Sequence, residues 1–277
     1  MKYLILGLLV FIHACSDGGG QDPGAGLMSS QTFSGSAAGE AVSLEYQYSL
    51  NKATIDSKMT AASSVLAGVT TTGAHIYKLT YVSNDANQGD ATFNASGLLM
   101  IPYSLADSSD NSAPWIVVSH GTIVDNSSAP TNNLSEGLFE AGLGFITLVP
   151  DYIGFGESYS SDPATRIHPY IISDSYGSDS VNMMKAVKSI LTNQGITLGR
   201  LYLKGYSEGG YATLALQKEL ETNHSSEFTI TASAPTAGPY STMLMSETLT
   251  SASGRQGTIS PTLFGYLATS YYYNESN

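Results

Sequence analysis

The chain has 277 residues, of which 42% are hydrophobic and 12% are charged, a composition that can form one large α/β domain or two small ones. Its formal net charge is −12, from 23 acidic and 11 basic residues, so it offers no basic footprint for phosphate contacts and nucleic acid is excluded as a partner. Cys15 is the only cysteine, which excludes a disulfide bond within the chain.

The first residues, MKYLILGLLVFIHACSDGGG, are typical of an export signal. Lys2 supplies a positive charge, and the apolar stretch 3–12 is too short for a membrane-spanning helix, which needs about 20 residues. Ala14 and Cys15 then resemble the end of a bacterial lipoprotein signal, in which the cysteine becomes the lipidated first residue. His13 departs from the small residue usual there, and an ordinary signal peptide with an incidental cysteine is the alternative.

These features predict a lipoprotein-type signal peptide at 1–14. A lipidated Cys15 and a flexible linker rich in Gly, Ser and Ala are predicted over 15–44, and the folded domain over 45–277. The protein is therefore expected to be exported to a bacterial cell envelope, lipid-anchored or secreted. Its only expected contact with the membrane is the N-terminal lipid.

The first elements of the domain are predicted to be a weak helix and a hairpin. The helical pattern covers 53–69, and the alternating stretches HIYKLTYVS at 75–83 and ATFNASGLLMIP at 91–102 read as strands. The turn NDANQGD between them favours an antiparallel pair. Its oxygen-bearing residues have an incomplete calcium-loop spacing, so a plain hairpin turn is the preferred interpretation.

From residue 115 onward, predicted strands alternate with predicted helices. Short apolar strands are predicted at 115–119, 145–149, 201–204 and 228–234, and helices at 134–141, 180–192 and 211–221. This alternation is typical of the α/β class, with a mostly parallel sheet covered by helices on both faces.

The stretch LKGYSEGGYA contains the pattern G-x-S-x-G at 205–209, between a predicted strand and a predicted helix. That context is the one in which the pattern forms a nucleophile elbow. Side chains at Gly205 or Gly209 would collide with the neighbouring strand and helix, and Ser207 would be held in a strained conformation with its hydroxyl exposed. The alternative is a glycine-rich turn with an incidental serine.

Together with this stretch, SHGT at 119–122, PDYIGFGES at 150–158 and HPYIISDS at 168–175 resemble the α/β-hydrolase superfamily. Within it, the combination resembles the secretory-lipase and esterase group. The resemblance runs from about residue 75 to about residue 240. It implies the α/β-hydrolase fold, with the C-terminal strands missing from this chain.

The resemblance also implies roles for individual residues. Ser207 would be the nucleophile, the backbone N–H of Glu208 one oxyanion donor, and Gly121 or Thr122 the source of the second. Three polar residues of the same motifs are interpreted as structural: His120 packing beneath the oxyanion loop, Asp151 holding the loop after its strand, and His168 supporting a pocket wall.

The base of the expected triad is the missing part. In this fold the acid and the histidine follow the serine, but the last of the five histidines is His224, a helix length after Ser207. The chain is therefore expected to be a fragment whose acid and histidine lie beyond residue 277, with about 241–277 beginning a lid insertion. One alternative is a complete protein without a triad that only binds a ligand; another uses His120 or His168 as an unusual base.

The sequence thus predicts a serine hydrolase that cleaves carboxylic esters through an acyl-enzyme on Ser207, without a metal or an organic cofactor. Its expected substrate is a small-molecule or lipid ester. The chain as it stands is expected to be nearly inactive because the acid and the histidine are absent. A serine peptidase or amidase on the same fold and a non-catalytic surface lipoprotein are the alternatives.

Overall fold

The computed structural model describes residues 28–89, 91–105, 111–161, 167–241, 243, 247 and 261–275. The predicted signal peptide and Cys15 lie outside these described residues, as does most of the segment between 241 and 261.

The described strands form one mixed sheet of eight, in the order β1-β2-β3-β4-β6-β5-β7-β8. Neighbours from β1 to β6 along this order are antiparallel, and β6, β5, β7 and β8 are parallel. The strands are β1 Gln31–Thr32, β2 Ala41–Leu50, β3 Ala74–Asn84, β4 Thr92–Pro102, β5 Ser112–Ser119, β6 Ile146–Pro150, β7 Thr197–Tyr206 and β8 Ile230–Thr236.

Helices cover both faces of this sheet. They are α1 Lys52–Ala62, α2 Pro130–Asn133, α3 Leu138–Gly142, α4 Ser173–Asn193, α5 Glu208–Asn223 and α6 Pro261–Glu275. Because successive strand residues point to opposite faces, Trp115 and Val117 pack with α4 and α5. Ile116 and Val118 pack instead with α1 and α3. The prediction of an α/β sheet covered on both faces is therefore confirmed. The sheet is mixed rather than mostly parallel, because four of its seven described strand pairs are antiparallel.

The predicted hairpin is confirmed, since β3 pairs with β4 along its whole length. The structured region begins earlier than the boundary at residue 45, because β2 starts at Ala41 and pairs with β1. Met28 and Leu44 are buried in the core of the α4 face. The segment 28–44 is rich in small and polar residues, so its hydrophobic pattern does not predict that it forms this edge of the sheet.

Three helices differ from their predicted bounds. The helix predicted from residue 53 to 69 ends at Ala62, where extended backbone at Ser63 interrupts it before a single 3-10 turn. Of the helix predicted at 134–141, only the part from Leu138 onward is helical, because Leu134, with a φ of 56°, ends the preceding short helix α2. Helix α4 begins seven residues before the predicted start at Ser180. Among the described residues, no helix has the length and apolar character needed to span a membrane.

Candidate active site

Ser207 forms the corner between β7 and α5. Strand β7 ends at Tyr206 and α5 begins at Glu208, so a single residue makes the turn. Ser207 has φ 59° and ψ −123°, a conformation that costs an L-residue on the order of 1–3 kcal/mol and persists only where surrounding contacts hold it. Its N–H donates to the carbonyl of Thr236 at 2.9 Å, and its own carbonyl accepts from Gly210 N–H at 2.9 Å.

Glycine is required at the positions around Ser207 for the steric reason expected from the sequence. A Cβ at Gly205 would overlap the carbonyl oxygen of Gly209, and a Cβ at Gly209 would overlap that of Ser119 at the end of β5. Gly210, which the pattern does not include, is restricted in the same way by the carbonyl of Thr236. The start of α5 therefore packs directly against the ends of β5 and β8.

The corner opens into a cavity of about 500 Å³, which Ser207 lines together with His120, Gly121 and Thr122. In the parallel pair β5–β7, Ser119 lies opposite Gly205, so the two strands deliver both loops to the same edge of the sheet. A Cβ on Gly121 would lie 3.6 Å from the carbonyl oxygen of Tyr206. The structure thus brings together the residues that the sequence predicted for the nucleophile and for one oxyanion donor.

The other predicted donor is the N–H of Glu208. Glu208 is the first residue of α5, and the first N–H groups of a helix have no acceptor within the helix. The N-terminal end of the helix dipole also favours negative charge near Ser207. The local electrostatics therefore suit an oxyanion that develops beside this corner.

His120 is buried at the start of the loop that carries Gly121 and Thr122. Its Nδ1 lies 2.8 Å from the carbonyl oxygen of Gly121 and its Nε2 lies 3.2 Å from that of Asp151. Its ring stacks on Tyr152 at a centroid distance of 4.0 Å, and the Tyr152 hydroxyl donates to the carbonyl of His120. Both ring nitrogens therefore face backbone carbonyls, which fits the structural role expected from the sequence.

Asp151 is fully buried and anchors the loop after β6. Its carboxylate accepts hydrogen bonds from the hydroxyls of Ser96 and Thr131 and from the N–H of Thr131. Burial raises the pKa of Asp151, and these hydrogen bonds act in the opposite direction. This arrangement matches the structural role expected from the sequence.

His168 is buried against the residue that follows Ser207. Its Nε2 lies 3.0 Å from Oε1 of Glu208, and its Nδ1 lies 2.7 Å from the carbonyl oxygen of Ile153. The hydroxyl of Tyr176 donates to the same Glu208 oxygen at 2.9 Å. The Glu208 side chain is 1% exposed, and burial raises the pKa of Tyr176 well above its usual value, so this hydroxyl remains a donor.

Sequence reasoning missed this cluster of His168, Tyr176 and Glu208. It assigned His168 to a pocket wall and used only the backbone of Glu208. The signal that could have indicated this cluster is the glutamate at the second x of G-x-S-x-G. The residue after an elbow serine begins a helix at a crowded sheet edge, and a buried carboxylate there needs a hydrogen-bond partner.

The two remaining histidines of the described chain lie far from Ser207. His75 is on β3, four strand positions away from β7, which corresponds to about 19 Å at the usual strand spacing. His224 follows the last residue of α5, about 24 Å from its start at the usual helical rise. No group of His, Cys, Asp and Glu suited to a metal ion occurs within the described part of the chain.

The chain resembles solved structures of hydrolases. A candidate hydrolase from Legionella pneumophila is 21% identical with a TM-score of 0.71, over 86% of this chain and 61% of that one. The rice cell wall degrading esterase LipA from Xanthomonas oryzae is 26% identical with a TM-score of 0.62, over 77% of this chain and 53% of that one. This chain thus spans about three fifths and one half of their lengths. No protein-family model and no curated protein matches it. With its elbow, its mixed sheet and these neighbours, the chain has an α/β-hydrolase fold.

Proposed function

We propose that the protein is a serine hydrolase of carboxylic esters that forms an acyl-enzyme on Ser207. The observation that carries this proposal is the strained corner at Ser207, which opens into a cavity shared with Gly121 and Thr122. Strain of this kind is retained at functional sites because it exposes a reactive group. The similarity to an esterase adds support for this class of substrate.

The proposed reaction is an acyl transfer in two halves. The Ser207 hydroxyl oxygen attacks the ester carbonyl and loses its proton to a base, giving a tetrahedral intermediate. The N–H of Glu208 and a donor from Gly121 or Thr122 stabilise the oxyanion, and one such donor is typically worth about 10²–10³ in rate. The intermediate expels the alcohol, which takes up the proton, and water then hydrolyses the acyl-enzyme by the same steps.

The cavity bears on the size of the substrate. A volume of about 500 Å³ lies within the range of small-molecule sites, so a short-chain ester would fit beside Ser207. The exposed carboxylate Glu136 lies on the wall of the cavity and Leu263 of α6 contributes an apolar side chain. A neutral ester of small or lipid type matches this lining better than an anionic one.

The substrate class is tested with the complete gene product on a panel of p-nitrophenyl esters and aminoacyl p-nitroanilides. We expect hydrolysis of the esters and little release from the anilides, because a phenolate leaves without a proton whereas an amine needs one from a general acid. Faster Ser207-dependent cleavage of the anilides would identify a peptidase or amidase. Loss of both activities would favour the non-catalytic lipoprotein.

We further propose that the protein is exported and held in the cell envelope by a lipid on Cys15. The support is the short apolar segment that ends at Ala14-Cys15, with a Gly-rich tract behind it. Metabolic labelling with a fatty-acid analogue is expected to mark the wild-type protein and not the Cys15→Ala variant. Equal labelling of the two proteins would refute lipidation at Cys15, and Ser16→Ala serves as the matched control.

A further inference from the structure

We infer that the segment 168–171 positions both oxyanion donors of the active site, and that helix α6 braces this segment. The inference rests on the proposed serine esterase function. It assigns His168 and Tyr170 as positioning residues, which act through Glu208 and Thr122 and do not touch the substrate. Two side chains of one short segment reach the two residues from which the donors are expected.

The first arm of the segment is His168. The carbonyl oxygen of Ile153 can only accept a hydrogen bond, so the His168 Nδ1 that faces it carries a hydrogen. The Nε2 of His168 lies 3.0 Å from Glu208 Oε1, and the Tyr176 hydroxyl lies 3.2 Å from the same nitrogen. These contacts tie the first residue of α5, and with it the direction of the Glu208 N–H, to the segment.

Among the described residues, the Glu208 carboxylate is held through one of its two oxygens. Glu208 Oε2 is buried without a hydrogen-bond partner in that part of the chain, so Oε1 alone anchors the carboxyl group. Tyr176 donates to Oε1 and also accepts from the N–H of Ile171 at 3.2 Å. The segment and the Glu208 side chain therefore share a second contact through the Tyr176 hydroxyl.

The second arm is Tyr170. Its hydroxyl lies 3.0 Å from the Thr122 hydroxyl, on the loop that lines the cavity beside Ser207. Without this contact the loop would keep the link from the Tyr152 hydroxyl to the carbonyl of His120, but residue 122 would lose its side-chain restraint. Since donors must lie about 3 Å from the oxyanion, a small displacement of this loop would weaken the second donor.

Helix α6 also contacts the segment. The ring of Tyr266 stacks on that of Tyr170 with centroids 4.8 Å apart. The hydroxyl of Ser270 donates to the carbonyl of Tyr170, and the hydroxyl of Tyr271 donates to that of Ile171. Ile171 has a φ of 62°, which is rare for a β-branched residue. A segment in this strained conformation needs such external contacts to remain in place.

The test uses Tyr170→Phe in the complete gene product, because this change removes the hydroxyl that contacts Thr122 and keeps the ring that stacks on Tyr266. The matched control is Tyr272→Phe, since Tyr272 is an exposed tyrosine of α6. Both variants and wild type are assayed on p-nitrophenyl butyrate. We expect kcat to fall about tenfold in Tyr170→Phe with KM within twofold, because an oxyanion donor acts mainly in the transition state. Tyr272→Phe is expected to match wild type.

The first arm is tested by rescue. His168→Ala is expected to lower kcat more than His168→Gln, because the glutamine amide can still donate to Glu208. Binding of an aryl trifluoromethyl ketone, which forms a tetrahedral adduct on serine, is expected to weaken in parallel with kcat. If His168→Ala does not fold, Tyr170→Phe alone decides the inference.

Several outcomes would overturn the inference. An unchanged kcat in Tyr170→Phe, or a raised KM at constant kcat, would mean that the segment does not position the donors. A fall in kcat that vanishes after correction for the folded fraction would reduce the segment to a structural role. Absence of Ser207-dependent turnover in wild type would instead refute the proposed function on which the inference rests.

Discussion

Replacement of Ser207 by alanine is expected to lower ester turnover of the complete gene product by about 10⁶-fold, the loss seen when a serine nucleophile is removed from a working site. The reason is that the acyl-enzyme path requires a hydroxyl oxygen at this corner, and alanine leaves only the oxyanion donors and the binding cavity. Release of p-nitrophenolate from a short-chain ester measures the change. Labelling by a fluorophosphonate, read as a mass increase on one serine, should disappear with it.

The control for this experiment is Ser225→Ala, because Ser225 is exposed after α5 and lies at the far end of that helix from Ser207. Thermal unfolding of Ser207→Ala should stay close to wild type, since alanine must adopt the same positive φ and the hydroxyl bears no backbone hydrogen bond of the corner. Turnover that survives in Ser207→Ala with an unchanged melting temperature would contradict the proposed nucleophile.

The corner itself could be predicted from sequence because its determinants are local. Gly205, Ser207 and Gly209 lie within five residues, and the apolar stretches before them are short and continuous. The steric demand for glycine depends only on how closely a strand, a turn and a helix approach one another. The same locality made the hairpin of β3 and β4 predictable, since two alternating stretches flank one polar turn.

The start of α4 could not be predicted because its first turns are buried through polar contacts. Asp179 is buried and accepts hydrogen bonds from the hydroxyls of Tyr81 and Ser83 on β3. Ser175 donates to Asp85, which follows β3. Burial raises the pKa of Asp179 to about 7. Hydrophobic periodicity reveals only the apolar faces of helices. It therefore does not predict a helix turn whose polar side chains are buried against a strand about 95 residues earlier in the chain.

The partners of Glu208 were hidden for a related reason. His168 and Tyr176 lie 40 and 32 residues before it in the sequence, and no local pattern links a glutamate to a histidine at that distance. The G-x-S-x-G pattern predicts the position of the serine. The side chains around Glu208 are brought there by the packing of α4 and of the loop after β6. Contacts of this kind follow from tertiary structure rather than from sequence spacing.

The base that must accept the Ser207 proton leads to the second large expected effect. The polypeptide 16–277 is expected to hydrolyse a short-chain ester about 10⁶-fold more slowly than a serine esterase of the same fold with a working base, because a serine hydroxyl is a weak nucleophile until a base takes its proton. Four of the five histidines lie in the described chain. His120 faces backbone carbonyls with both nitrogens, and His168 is engaged by Ile153 and Glu208.

The other two are excluded by distance, since β3 and the end of α5 place His75 about 19 Å and His224 about 24 Å from Ser207. The polypeptide is compared on p-nitrophenyl butyrate with a serine esterase of the same fold, and its Ser207→Ala variant serves as the blank. A comparable rate that depends on Ser207 would contradict this expectation and require one of the four histidines to leave its present partners. Alanine substitutions of His120 and His168 would then identify it, because only the true base would lose turnover without a matching loss of thermal stability.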